Sequence, residues 1–426
     1  MGLPKDLLED WVLNDVSKYN PSLISEPNNG VRKISGQLLS PPDTILSPSR
    51  SSSSTIPSPT MPVSGQGDLA FQIPVSMYSE QALEFIGFNA KMSGHLLRTW
   101  VEGQGDMSFQ DLIFGYLSET CPLEPKNWVA CMENIGISKE RQTGIMDPNF
   151  ADVRATRPLR HWLHEFFYEN YLVLETLGQR VCNGLDVLKS GTPQLRGGYQ
   201  DRSDYHLTQV GHTTLYRATS AARLEKVFET STLKLEKGCM GTIAPNDFSL
   251  DRVAYYWSSD HWVAERFAWY TQNNCKILND VAILRVLCPT HYLTGKGVWR
   301  IDFSTEWQKL IFCSRRQEVY PTEIEEKWNT ANLIIGPVSI DHDDCFAKMK
   351  SWTSVEENNQ FKFKKFGKVG CQYAWIGMST VSKMNAVLED KLDLFKCFHP
   401  YKGAEPVIKC VPNPKEWVKN RLSLHT

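Results

Sequence analysis

The sequence predicts an α+β fold in which a helical module precedes a domain of mixed strands and helices. Apolar residues recur at helical spacing between residues 74 and 200. From residue 212 onward, short β-branched and aromatic runs alternate with amphipathic stretches. Before residue 74 the chain is rich in Ser, Pro, Gly and Asn, a composition that buries too little apolar surface to offset ordering entropy. A chain of 426 residues has room for more than one such domain.

Taken in order, Leu7, Leu8, Trp11, Val12 and Val16 form a short amphipathic candidate, and residues 20–73 read as disordered, so residues 1–73 are expected to be a tail. That tail carries Ser40-Pro41, Ser47-Pro48 and Ser58-Pro59, which would suit proline-directed phosphorylation. In the helical module, residues 74–200, one stripe comprises Ala82, Phe85, Ile86, Met92, Leu96 and Trp100. A second comprises Leu159, Trp162, Leu163, Phe166, Phe167 and Tyr171, and both read as core. Gly197-Gly198 marks a linker. Strands are expected at 215–219, 254–258, 281–287, 332–338 and 372–376, with helices at 221–230, 260–271, 305–312 and 381–388. Residues 212–390 form the mixed domain and 391–426 a C-terminal extension.

The formal charge is −2, so no dominant nucleic-acid or anionic-membrane surface is expected. No apolar run approaches the roughly 20 residues of a transmembrane helix, and residues 1–10 lack the apolar stretch of a secretory signal. Asp6 stands where a myristoylation pattern wants Ser or Thr. The 11 cysteines are scattered without a paired motif, as in reduced cytosolic or nuclear proteins. His161 and His164, followed by Glu165, do not have the spacing of a zinc helix and read as structural or surface residues. Asp341-His342-Asp343-Asp344 reads as a solvated acidic turn, and the Phe/Lys alternation of residues 361–368 as a half-buried strand with a lysine face. Neither a phosphate-binding glycine loop nor a Gly-x-Ser-x-Gly elbow is present.

The pairing of most interest lies between Leu215-Tyr216-Arg217-Ala218-Thr219 and Ala254-Tyr255-Tyr256-Trp257-Ser258-Ser259-Asp260. The first segment is a strand edge with a cation. The second is an aromatic strand delivering two hydroxyls into a helix. A cation beside hydroxyls suits a phosphate-bearing ligand. Arg217 could equally pair with a neighbouring carboxylate, and Ser258, Ser259 and Asp260 could equally start the helix.

With Glu306-Trp307, Asn332-Leu333-Ile334-Ile335-Gly336-Pro337-Val338 and Cys371-Gln372-Tyr373 following in order, residues 212–390 resemble an uncharacterised ADP-ribosyltransferase-like family. The resemblance implies a split β-sandwich and NAD as substrate, for ADP-ribosyl transfer or NAD hydrolysis, with a protein as the possible acceptor. It assigns phosphate or ribose contacts to Arg217, with Ser258 and Ser259 beside it and Tyr256 among the candidates for an aromatic wall. Active transferases carry a Glu in the third place, whereas the resembled family usually has Gln there, as this chain has Gln372. A neutral amide supplies no formal charge against a developing cation, and such a charge is worth roughly 100- to 1000-fold in rate. Glu318 is the nearest substitute carboxylate by sequence. The alternative implied by Gln372 is a catalytically silent relative that binds a nucleotide or a protein partner.

Overall fold

The computed structural model describes residues 6–39, 70–103, 107–122, 125–190, 209–220, 222–223, 241–242, 246–275, 281–341, 345–363, 367–377, 392–398 and 407–411. The architecture is mixed α/β, compatible with the expected α+β class.

At the N-terminal end, helix α1 (Asp10–Tyr19) precedes strand β1 (Val31–Ser35) and the one-turn helix α2 (Gly36–Leu39). β1 pairs antiparallel with β2 (Ala70–Pro74), Val31 opposite Pro74 and Ser35 opposite Ala70. This corrects the expectation of disorder at residues 20–39 and 70–73. Composition missed it because Leu8, Val12, Val16, Leu23, Ile34, Leu38 and Ile73 are few but all converge on one cluster. The cluster is completed by Leu172, Val173, Leu177 and Val181, far along the chain. The three Ser-Pro sites lie outside the described residues.

The helical module runs through α3 (Glu80–Ile86), α4 (Ala90–Glu102), α5 (Phe109–Thr120), α6 (Trp128–Asn134), α7 (Lys139–Ile145), α8 (Ala151–Arg154), α9 (Leu159–Glu175) and α10 (Leu177–Ser190). Ser79, Asn89, Ser108, Asn127 and Ser138 stand at helix N-caps and accept from the backbone N–H three residues on, as short polar caps do. The predicted stripes are core: Trp162, Leu163, Phe166 and Phe167 of α9 are buried against Leu83, Ile86 and Phe88. The same core takes in Trp262, Val263, Tyr270 and Phe361 from later in the chain, so the helices and the sheet share one interior.

Strands β3 (His212–Ser220), β4 (Ala254–Ser258), β5 (Val281–Pro289), β6 (Val298–Arg300), β7 (Leu333–Pro337), β8 (Cys371–Ile376), β9 (Leu392–Phe398) and β10 (Val407–Val411) form an eight-stranded sheet in the order β10-β9-β5-β3-β4-β8-β7-β6. Among the described residues, only β6 and β7 pair in parallel. Residues 391–426 are therefore not merely an extension, because β9 pairs with β5 along Ala282–Val286 and carries β10 at the sheet edge. Of the half-buried strand expected at 361–368, residues 364–366 lie outside the described residues; Lys362 bridges Val369 antiparallel, and the Phe363 N–H donates to the Lys368 carbonyl. The helices expected at 381–388 and, apart from Ala222 and Arg223, at 221–230 lie outside the described residues, as do His342, Asp343 and Asp344.

One junction of this sheet differs from the rest. β3 shares a full ladder with β5, and β4 with β8, yet β3 and β4 meet at the single pair Tyr216–Ser258. Two four-stranded halves thus splay apart at their centre. Backbone groups beyond that pair need other partners. Helix α11 (His261–Asn274) packs across β3, β4 and β5 at this place.

Candidate functional site

The splay between β3 and β4 opens a cavity of about 110 Å³. Arg217 and Tyr216 of β3 line it, with Tyr256, Trp257 and Ser258 of β4 and Gln372 of β8. α9 and the residues before it add Arg157, His161, Trp162 and Glu165, while α11 adds Val263, Ala264, Phe267 and Thr271. Four of the residues singled out in the sequence, Arg217, Tyr256, Ser258 and Gln372, are therefore brought together. Two are not. Ser259, one residue past the end of β4, does not line the cavity, and its hydroxyl is placed against the Cys371 thiol and the Tyr373 phenol.

Glu318 is corrected more firmly. The helix α12 (Thr305–Arg316) ends at Gln317 in a left-handed conformation, φ 53°, which turns the chain back. Glu318 then pairs with Arg316 at 2.6 Å on the surface and does not line the cavity.

Arg217 reaches across the splay. Its Nη1 donates to the Tyr256 carbonyl at 3.2 Å, taking over an acceptor that the missing β3–β4 ladder leaves open. This is its one hydrogen bond among the described residues, and the guanidinium has five donors to place. Burial lowers its pKa to about 10, with Arg223 acting in the same sense and Glu165 against it. Arg217 therefore keeps its charge at neutral pH.

Ser258 and Gln372 are more occupied. The Ser258 hydroxyl donates to the Cys371 carbonyl at 2.6 Å and accepts from the Asp260 N–H at 3.0 Å, which ties β4 to β8 and to the start of α11. Asp260 accepts in turn from the Cys371 N–H and pairs with Lys368. Gln372 Nε2 donates to Asp247 Oδ2 at 2.6 Å and to the Pro337 carbonyl at 3.0 Å. Asp247, fully buried, also accepts from the N–H and the hydroxyl of Ser339 at 2.7 Å each, and lies 3.5 Å from Arg157 and from Arg315. Gln372 thus belongs to a buried polar network beneath the cavity.

The walls are aromatic. Tyr256 lies under the Arg157 guanidinium at 5.1 Å, and its hydroxyl accepts from the Phe248 N–H at 3.1 Å. Burial raises that phenol to about 12, so it stays neutral. Trp257 lines the cavity, while its indole Nε1 is buried and lacks a hydrogen-bond partner.

Sequence reasoning missed Glu165. It stands on α9 four residues after His161, both on the cavity side, and its Oε1 pairs with Arg223 at 2.9 Å. Arg223 also holds Glu169 at 2.9 Å. Burial works to raise the Glu165 pKa, but Arg223, His161 and Arg217 outweigh it and hold the carboxyl below its ordinary range. The i, i+4 placement of His161 and Glu165 was a readable signal of one shared face, but not of what that face meets. His164 turns elsewhere, toward Ser118 at 3.1 Å.

Among the described residues, no three His, Cys, Asp or Glu side chains are gathered as a metal site, and no helix is long and apolar enough to cross a membrane. Comparison with protein-family models, with curated proteins and with solved structures finds no match to this chain.

Proposed function

We propose that this chain carries an ADP-ribosyltransferase-like domain that takes NAD as substrate at the β3–β4 cavity, for ADP-ribosyl transfer or NAD hydrolysis. The observation that carries the reading is the meeting of Arg217, Tyr256, Ser258 and Gln372 on one cavity at the splay of the sheet. Splitting the nicotinamide bond builds positive charge on the ribose, so a site needs a cation for the phosphates, a wall for the ring and a negative group for the sugar. Arg217 supplies directed donors for a phosphate oxygen. Tyr216, Trp257 and Phe267 supply apolar ring faces. A protein acceptor is the partner this reading expects.

The fit is partial in size. A void of about 110 Å³ falls below the roughly 300–1,000 Å³ of drug-sized ligand sites, so it suits the nicotinamide-ribose end, with the adenosine half outside it. In this reading Arg217 orients the phosphate at the mouth.

A second reading, nucleotide binding without turnover, is favoured by the commitment of Gln372 to Asp247 and Pro337. Its Nε2 donors are both spent there, so only the amide oxygen is left for a ribose hydroxyl, and it carries no formal negative charge. Incubation of the purified chain with NAD labelled in the nicotinamide ring separates the two. Release of nicotinamide that Arg217→Ala abolishes supports transfer or hydrolysis; saturable binding without release supports the silent form; release unaffected by Arg217→Ala rejects the site.

A further inference from the structure

We infer that Glu165, supplied by the helical module, makes this cavity selective for a ligand that carries positive charge on its ring or sugar as well as negative charge on its phosphate. The inference rests on the NAD reading and deepens it. Its chemistry is the opposition of charged groups on one small void: Arg217 from β3 and Arg157 from before α9 against Glu165 from α9. Arg217 and Glu165 each have one hydrogen-bonded or ion-paired partner among the described residues. Arg217 Nη1 donates to the Tyr256 carbonyl, and Glu165 Oε1 takes Arg223 at 2.9 Å, which leaves Oε2 for a group in the cavity.

Glu165 is the one carboxylate among the residues that line the cavity, where Arg217 and Arg157 are the cations. Glu165 and Glu169 share Arg223, and that trio carries one net negative charge; Arg217 carries one positive charge. A phosphate that takes up Arg217 leaves Glu165 as the carboxylate that a cationic ring or sugar meets in the cavity. The Glu165 side chain is 27% exposed and sits among Trp162, Phe267 and Val263, where an uncompensated charge is screened less than on an open surface. His161, on the same face, is the one further titratable group lining the cavity from α9.

Oxidised and reduced NAD provide the test, since they share the phosphates and sugars and differ by the charge on the nicotinamide ring. Affinities of the whole chain for NAD+ and NADH are measured by calorimetry in wild type, Glu165→Gln and Glu169→Gln. The expected result is NAD+ bound about tenfold more tightly than NADH by wild type, which corresponds to about 1.4 kcal/mol. Glu165→Gln should bring the two affinities together by weakening NAD+ while NADH affinity is kept, and the kept NADH affinity shows that the variant is folded. Glu169→Gln leaves Arg223 to Glu165 alone but keeps the charge that lines the cavity, and should reduce the preference less than Glu165→Gln does. Should Glu165→Gln fail to fold, wild type still decides: a charge-based preference must weaken as salt rises. Equal affinities in wild type, a preference untouched by Glu165→Gln, or one indifferent to salt would overturn the inference while leaving NAD binding intact. Failure of wild type to bind either form would overturn the NAD reading, and this inference with it.

Discussion

Replacing Asp247 with Ala should destabilise the chain more than any exposed substitution. Five contacts end on that buried carboxylate: the Ser339 N–H and hydroxyl at 2.7 Å, Gln372 Nε2 at 2.6 Å, and the Arg157 and Arg315 guanidinium groups at 3.5 Å. Arg157 and Arg315 have side-chain exposures of 5% and 1%, so neither can turn to water. Removing one partner of a buried ion pair costs about 3–5 kcal/mol, because a buried charge is left behind. Orphaning Ser339 and Gln372 acts in the same direction, by about 1 kcal/mol or more for each, though such losses do not add simply. A total near 4 kcal/mol is a large part of the roughly 5–15 kcal/mol that holds a domain together. Urea unfolding followed by tryptophan fluorescence is the assay, with Trp257 and Trp307 as buried reporters. Asp247→Asn keeps the shape and an acceptor for Ser339, and should lose about half as much. An Asp247→Ala variant within about 1 kcal/mol of wild type would refute the claim that this network anchors the floor of the site.

Three further outcomes are expected. Burial, aided by Arg160 and opposed by Glu165, depresses the His164 pKa from 6.5 to about 4. The unfolded chain therefore takes up a proton first as pH falls, so this contribution to stability is full above about pH 6.5 and declines toward pH 4. His164→Gln should flatten stability-versus-pH in that window, and an unchanged slope would count against the assignment. Gly184→Ala would set a Cβ 1.9 Å from the Leu38 carbonyl oxygen, where α10 and α2 touch; a loss of about 1–3 kcal/mol or more is expected in thermal melts, and a neutral result would contradict the close approach. Ser258→Ala deletes the bonds to the Cys371 carbonyl and the Asp260 N–H, and should lower stability by about 1–3 kcal/mol in urea titrations; an unchanged midpoint would show that this hydroxyl does not tie β4 to β8.

Much of the sheet was legible because its strands announce themselves locally. The 254–258 strand and the 371–376 strand fall where β-branched and aromatic runs stop at polar or glycine residues. Arg217 and Ser258 were legible as a pair because each stands on such a strand. Glu165 and Arg157 were not, since helical periodicity marks Trp162 and Phe166 as core but is silent on which polar neighbour meets a strand far along the chain. Asp247 sits in a turn with no pattern, and its role comes only from Gln372, Ser339, Arg157 and Arg315 arriving from four other places. Glu318 misled through sequence proximity to Arg315 and Arg316. Arg315 points into the core, whereas the left-handed Gln317 carries Glu318 out to the surface. The N-terminal cluster was hidden for a related reason, its few apolar residues being completed by α9 and α10.

The central claim is that the Arg217 guanidinium, held at the splay of β3 and β4, receives the anionic part of a nucleotide. Titration of NAD into the whole chain by calorimetry, wild type beside Arg217→Ala, tests it directly. The account predicts saturable binding by wild type and at least about tenfold weaker binding by Arg217→Ala, the loss expected for a charge-assisted hydrogen bond worth about 1.5 kcal/mol or more. Equal affinity in the two proteins would contradict it.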